Sequence, residues 1–151
     1  MYKNLRVICP ECGEEFITSY YAFTHRCGQL CAKCSATISK GEFAIKEYLN
    51  DNNVSFEMQY RFNDCRAKIP LPFDFYIPDL NTCIEYDGAG HFKPIPRGGI
   101  TESEAEEVLN GIKQRDEIKT DYCNNHDIKL IRIPYWEYDS IDTILNNELF
   151  T

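Results

Sequence analysis

Pro72-Phe-Asp-Phe-Tyr-Ile-Pro-Asp-Leu-Asn-Thr-Cys-Ile-Glu-Tyr-Asp-Gly-Ala-Gly-His-Phe92 is the stretch that decides how this chain folds. It reads as two strands joined by the tight connection Pro78-Asp-Leu-Asn81. Phe73, Phe75 and Ile77 alternate with Asp74 and Tyr76 on the first strand; Ile84 and Tyr86 alternate with Cys83, Glu85 and Asp87 on the second. Strand residues two apart share a face, so Glu85 and Asp87 lie together, and Asp74 lies opposite its own strand's apolar face. His91 follows just past the second strand. Paired as a hairpin, the strands bring three carboxylates toward an imidazole.

Outward from this hairpin, the order of elements is legible. Ser39-Lys-Gly-Glu42 has the spacing of a capping box and opens a helix to about Asn52, with Phe43, Ile45, Tyr48 and Leu49 as its apolar face. Residues 54–60 alternate with period two, as a half-buried strand does. Residues 63–71 read as a loop carrying Cys65, Arg66 and Lys68. Residues 88–100 form a Gly/Pro-rich loop, and Thr101-Glu-Ser-Glu104 opens a long helix to about Asn124, with Gly111 as a candidate kink or break. A strand at Lys129–Tyr135 and a closing helix from Ile141 to Leu149 complete the chain. The helix between the third and fourth strands implies a parallel crossover. The expectation is a mixed α/β sheet, α-β-β-β-α-β-α, over residues 39–151.

Residues 1–38 read as a separate zinc-binding module, zinc-ribbon or treble-clef-like. Cys9-Pro-Glu-Cys12 and Cys31-Ala-Lys-Cys34 are separated by 18 residues. Two thiolates two residues apart reach one tetrahedral ion from a tight turn, and two such pairs complete a closed, structural site. Cys27 and His25 are spare, and either could replace one ligand. Of eight cysteines, five lie in the first 34 residues and Cys65, Cys83 and Cys123 are scattered; clustering in CxxC pairs, in a chain whose start lacks an apolar secretory segment, points to a reducing compartment and a cytoplasmic protein. No run of about 18 apolar residues is present, so no transmembrane helix is expected.

The net charge of −8 weighs against a general nucleic-acid binder. It is uneven: residues 1–40 sum to +2 and residues 41–151 to −10. Glu102, Glu104, Glu106 and Glu107 suit the positive end of a helix dipole. Basic residues near the acidic hairpin, Arg61, Arg66, Lys68, Lys93 and Arg97, remain as candidates for phosphate contacts.

Phosphodiester hydrolysis needs a nucleophile brought to an anionic backbone and a stabilised leaving alkoxide. One or two Mg²⁺ or Mn²⁺ ions held by close oxygen ligands meet both needs. Asp74 with Glu85 or Asp87 supplies such ligands, and the sequence leaves the choice between the last two open. His91 has the chemistry of a general base or acid. Asp116 and Lys119 share a helix face at i, i+3, so Asp116 can orient His91 and Lys119 can steady the phosphate; the plainer alternative is an exposed ion pair. Glu42 can hold a metal-bound water, or serve only as a cap.

Phe73-Asp-Phe75, Ile84-Glu-Tyr-Asp-Gly-Ala-Gly-His91, Arg115-Asp-Glu-Ile-Lys119 and Leu130-Ile-Arg-Ile-Pro134 together resemble the PD-(D/E)xK nucleases. The likeness is greatest to the very-short-patch-repair (Vsr) branch and the related EDxHD homing endonucleases, whose motif would fall on Glu42, Asp74, His91 and Asp116. It covers roughly residues 39–145, in order. The resemblance implies a restriction-endonuclease-like fold, Mg²⁺-dependent cutting or nicking of DNA, and a phage or selfish gene. A homodimer is one route to specificity. Two departures stand out: the third strand reads Glu85-x-Asp87 where the family has Glu-x-Lys, and the zinc module precedes the core. A non-catalytic nucleic-acid-binding protein and a structure-specific or RNA nuclease are the alternatives.

Overall fold

The structure is a computed structural model that describes residues 4–24 and 29–151. The expectations for His25 and Cys27 lie outside those residues. The chain forms two compact units, Met1–Glu47 and Tyr48–Thr151. The division falls within a helix rather than at the 38/39 boundary drawn from sequence.

In the first unit, β1 (Asn4–Ile8) and β2 (Glu15–Ser19) pair antiparallel, with Val7 opposite Phe16. The turn between them carries Cys9 and Cys12. Gly13 adopts φ 72, where a side chain would be strained, and its N–H donates to the Cys9 carbonyl at 2.9 Å. Two short helices follow, α1 (Tyr20–Thr24) and α2 (Ala32–Ser35). Cys9, Leu30, Cys31 and Phe43 form this unit's small core, with Phe16, Cys34 and Ile38 against it. Helix α3 (Lys40–Asp51) opens with the expected capping box: Ser39 N–H donates to Glu42 Oε2 at 2.8 Å, and Glu42 N–H to Ser39 Oγ at 3.2 Å.

The second unit is built on a four-stranded sheet in the order β3 (Glu57–Arg66), β4 (Pro70–Ile77), β5 (Thr82–Asp87), β6 (Lys129–Pro134). The first three strands are antiparallel and β6 is parallel to β5, as the crossover predicted. Asn81 makes the β4–β5 turn possible by taking φ 45, a left-handed conformation that asparagine tolerates. Helix α4 (Glu102–Asn125) is the crossover and runs unbroken through Gly111; Thr101 and Glu104 form its capping box. It packs against β3 and β6. Its Cys123 packs with Cys65, Leu71, Phe73, Cys83 and Ile128, so the three scattered cysteines are core residues of one cluster. The other face of β5 and β6 carries Ile84, Ile131 and Ile133, and helix α5 (Ile141–Phe150) buries Ile141 and Leu145.

One sequence expectation fails at the β3–β4 connection. The loop expected over residues 63–71 is only residues 67–69, because β3 continues to Arg66. Arg61 pairs with Pro72 and Arg66 with Pro70, so four residues of β3 face one of β4. This bulge interrupts the period-two pattern that identifies a strand. Burial alternates through β4 as expected, but the buried rings do not all join one layer. Phe73 and Tyr76, three residues apart, both pack into the cluster around Cys123, while Phe75 packs edge-on against Phe56. The β4–β5 ladder ends there, at Phe75↔Ile84, and on the neighbouring strand Gln59 takes φ 52.

Phe73 is fully buried. Replacing it with alanine removes a large ring from a packed core, which costs about 3–5 kcal/mol. Urea unfolding of Phe73→Ala followed by far-ultraviolet circular dichroism is expected to show a midpoint shift of that size. An exposed site such as Lys113→Ala is expected to stay within about 0.5 kcal/mol.

Candidate functional site

The end of β5 is where charge collects. β5 and β6 run parallel with Glu85 opposite Arg132, so these two side chains leave the same face of the sheet. Asp87 lies two residues on, also on that face. A 3-10 turn at Ala89–His91, closed by His91 N–H to the Gly88 carbonyl at 3.0 Å, folds His91 back over the strand end. Helix α4 crosses the same face and lowers Asp116 and Lys119 onto it.

The result is a closed set of charge contacts. His91 Nδ1 lies 2.8 Å from Asp116 Oδ2 and 3.4 Å from Asp87 Oδ1. Arg132 Nη1 donates to Asp87 Oδ1 at 2.7 Å, and Nη2 donates to Asp116 Oδ1 at 3.2 Å. One guanidinium thus holds two carboxylates, and the imidazole sits between them. The hydrogen bond that His91 donates to Asp116, together with the charges of Asp116 and Asp87, raises the His91 pKa against the opposing effect of burial and Arg132. Burial pushes the Asp116 carboxyl up, but His91 and Arg132 outweigh it and hold it below the ordinary value. With Nδ1 engaged, Nε2 is the imidazole nitrogen left for other chemistry; no partner for it occurs among the described residues.

Glu85 is occupied differently. Its Oε2 accepts from Lys119 Nζ at 2.7 Å and its Oε1 from the Asp74 backbone N–H at 3.0 Å. Glu85 and Lys119 are both buried. Burial raises the Glu85 pKa, and Lys119 opposes that rise. Lys119 also lies 5.2 Å from the centre of the Phe73 ring. Asp74 accepts the Tyr86 N–H at 2.8 Å and the Gln59 side-chain amide at 3.3 Å. Side chains therefore replace the backbone rungs where β4 and β5 separate.

Of the residues singled out from sequence, Asp87, His91 and Asp116 come together, with ligand atoms all within 4.8 Å of one another, a spacing a metal ion can bridge. The expected trio of Asp74, Glu85 and Asp87 does not form such a group among the described residues. Lys119 faces Glu85 rather than open solvent. Glu42 belongs to the first compact unit, where it closes the cap of α3. Arg66, Lys68, Lys93 and Arg97 are exposed side chains. Arg132 is the site residue that sequence reasoning missed. Its signal is a charge at the centre of an otherwise apolar parallel strand, a place where a cation needs a partner. Phe92, Tyr135 and Trp136 form an exposed ring cluster beside His91, with Phe92 and Trp136 centroids 4.6 Å apart.

In the first unit, the sulfurs of Cys9, Cys12, Cys31 and Cys34 also lie within 4.8 Å of one another, with Cys12 and Cys31 3.6 Å apart. Burial pushes the Cys9 thiol up, but hydrogen bonds from the backbone around Cys31, Cys12 and Glu11 bring it down to about 6. Burial and the neighbouring thiols push Cys34 up to about 12. Four thiolates cannot coexist here without a cation between them. Four sulfur donors at this spacing suit a tetrahedral soft ion, and zinc fits.

Uncharacterized protein 307L of Invertebrate iridescent virus 6 is 38% identical to this chain over 79 residues, which is 52% of this chain and 38% of that protein. The matched stretch thus spans about two-fifths of the viral relative. No family model and no solved structure matches the chain.

Two outcomes check this geometry. Purified protein is expected to carry one zinc per chain by elemental analysis, and Cys12→Ser or Cys31→Ser to lower that content sharply. In an NMR titration without added divalent ions, His91 is expected to titrate above the usual 6.5, and Asp116→Asn to lower its pKa. A raised His91 pKa stabilises the fold fully below about 6.5, and that contribution is lost as pH rises through the raised value.

Proposed function

We propose that the second unit is a metal-dependent nuclease that hydrolyses phosphodiester bonds in DNA, with the zinc module as a structural appendage. The observation that carries this reading is the Asp116–His91 pair at 2.8 Å beside Asp87. Asp116 holds the imidazole by Nδ1, so Nε2 can take a proton from an attacking water or return one to the leaving oxygen. The element order and the segments quoted above support a restriction-endonuclease-like core of the Vsr and EDxHD kind. The similar viral protein suits a mobile or viral gene.

A catalytic Mg²⁺ or Mn²⁺ would be drawn to the carboxylates of Asp74, Asp87 and Asp116. The donor set fits, since Asp87 and Asp116 offer carboxylate oxygens within 4.8 Å of each other and leave the imidazole to its proton-transfer role. Such an ion supplies Lewis acidity and a more acidic bound water. Arg132 keeps Asp87 and Asp116 apart from each other's repulsion and can turn a donor toward a phosphate oxygen. Lys119 stands where a cation is needed because Asp87 occupies the family's lysine position; from helix α4 it neutralises Glu85 and leaves Asp87 for the site.

One observation favours a second reading, a non-catalytic nucleic-acid-binding protein. Arg132 and Lys119 already pair the carboxylates of Asp87, Asp116 and Glu85, so no ion is required to hold the site together.

Plasmid cleavage separates the two readings. With Mg²⁺ or Mn²⁺ the wild-type protein is expected to nick or linearise plasmid, and Asp74→Ala and His91→Ala to lose activity by about a hundredfold or more. Cutting by either variant at the wild-type rate removes that residue from the mechanism. Binding of plasmid without divalent-dependent cutting supports the second reading.

A further inference from the structure

A groove of about 520 Å³ lies on the side of α4 next to the charged cluster. Its floor and walls come from the bulged β3–β4 hairpin and from one stripe of the helix. Lys68, Ile69 and Pro72 stand on the hairpin side, Arg115 and Ile118 on the helix side, and Arg61 at the bulge. No aspartate or glutamate lines it, although the chain holds 24 acidic residues against 16 basic ones. Its cations are not spent on internal ion pairs: Lys68 and Arg115 make none among the described residues, and Arg61 donates only to the Pro70 carbonyl. Ile69 is 64% exposed on the groove wall, an unusual place for a large aliphatic side chain with no partner.

The groove and the charged cluster are built on two shared elements, α4 and β4. Arg115 precedes Asp116 on α4, so the groove stripe and the site stripe are adjacent faces of one helix. Pro72 lies two residues, about 7 Å, from Asp74 along β4. A chain seated in the groove would therefore run along the two elements that carry Asp74 and Asp116.

We infer that this groove is the track for one strand of nucleic acid, with phosphates on Lys68, Arg115 and Arg61 and the sugar faces against Ile69, Pro72 and Ile118. Charge complementarity selects a polyanion, and the apolar wall between the cations selects one with apolar surface between its charges. This inference rests on the phosphodiester reading of the site, and it supplies what that reading lacks: a positive surface on an acidic protein. It also divides the basic residues singled out from sequence, placing Arg61 and Lys68 in the track and adding Arg115.

The test is fluorescence anisotropy with a labelled DNA duplex and the same strand alone, in buffer without Mg²⁺ or Mn²⁺, over a range of salt. Lys68→Ala and Arg115→Ala are each expected to weaken binding about threefold or more and to flatten the slope of log K against log salt by about 0.7–0.9, one phosphate contact each. Ile69→Asp, which adds an acid to the wall, is expected to weaken binding further. Lys113→Ala removes an exposed cation from the same helix outside the groove and is expected to leave the slope unchanged. Equal effects of Lys113→Ala and the groove variants would overturn the inference, as would an unchanged slope in the groove variants or an absence of wild-type binding. Polyglutamate binding with the same dependence on Lys68 and Arg115 would overturn it in favour of an acidic protein partner. His91→Ala separates this inference from the nuclease reading: it is expected to stop cutting and keep the groove-dependent binding. Groove-dependent binding without any cutting by wild type retains the track and discards the nuclease.

Discussion

The buried ion pair between Glu85 and Lys119 sets the geometry on which the rest of the second unit depends. It ties the middle of β5 to the middle of α4 at 2.7 Å. A helix packed on a sheet by apolar contacts alone can rotate or slide by a fraction of a turn at small cost. A charge pair cannot, because a displaced Lys119 would leave Glu85 buried without a partner. Asp116 lies one turn earlier on the same helix. Fixing Lys119 therefore fixes Asp116 at hydrogen-bond distance from His91. The pair's net contribution to stability is small once desolvation is counted, and its consequence is registration.

The same interaction explains how four acidic side chains share so little space. Glu85 is neutralised by Lys119, Asp87 and Asp116 share Arg132, and Asp74 is held by the Tyr86 backbone N–H. Each carboxylate has a donor from a different element: α4, β6 or the neighbouring strand. The cluster exists only when the parallel crossover is complete.

Much of this was legible in the residues. The capping boxes at Ser39–Glu42 and Thr101–Glu104 mark helix starts because the partners lie within four residues. The sheet order follows from a hairpin and a helix crossover, both of which are local patterns. The four-cysteine module is legible for the same reason. The bulge in β3 was not, because four residues facing one destroy the alternation by which a strand is read. Nor was the division of labour between Glu85 and Asp87. Both share a face, and only the position of Lys119 and Arg132, 34 and 45 residues further along the chain, decides which is occupied and which adjoins His91. Asp116 as the partner of His91 was legible as a helix-face spacing, while Glu42 lies in the other unit as a cap.

The central claim is that the acids around His91 take a divalent ion for phosphodiester chemistry. Crystals soaked in Mn²⁺ test it most directly. An anomalous peak is expected about 2.0–2.3 Å from carboxylate oxygens of Asp74, Asp87 or Asp116, separate from the zinc of the four cysteines. Saturating Mn²⁺ with no peak in that cluster, and Arg132 unmoved between Asp87 and Asp116, would contradict it.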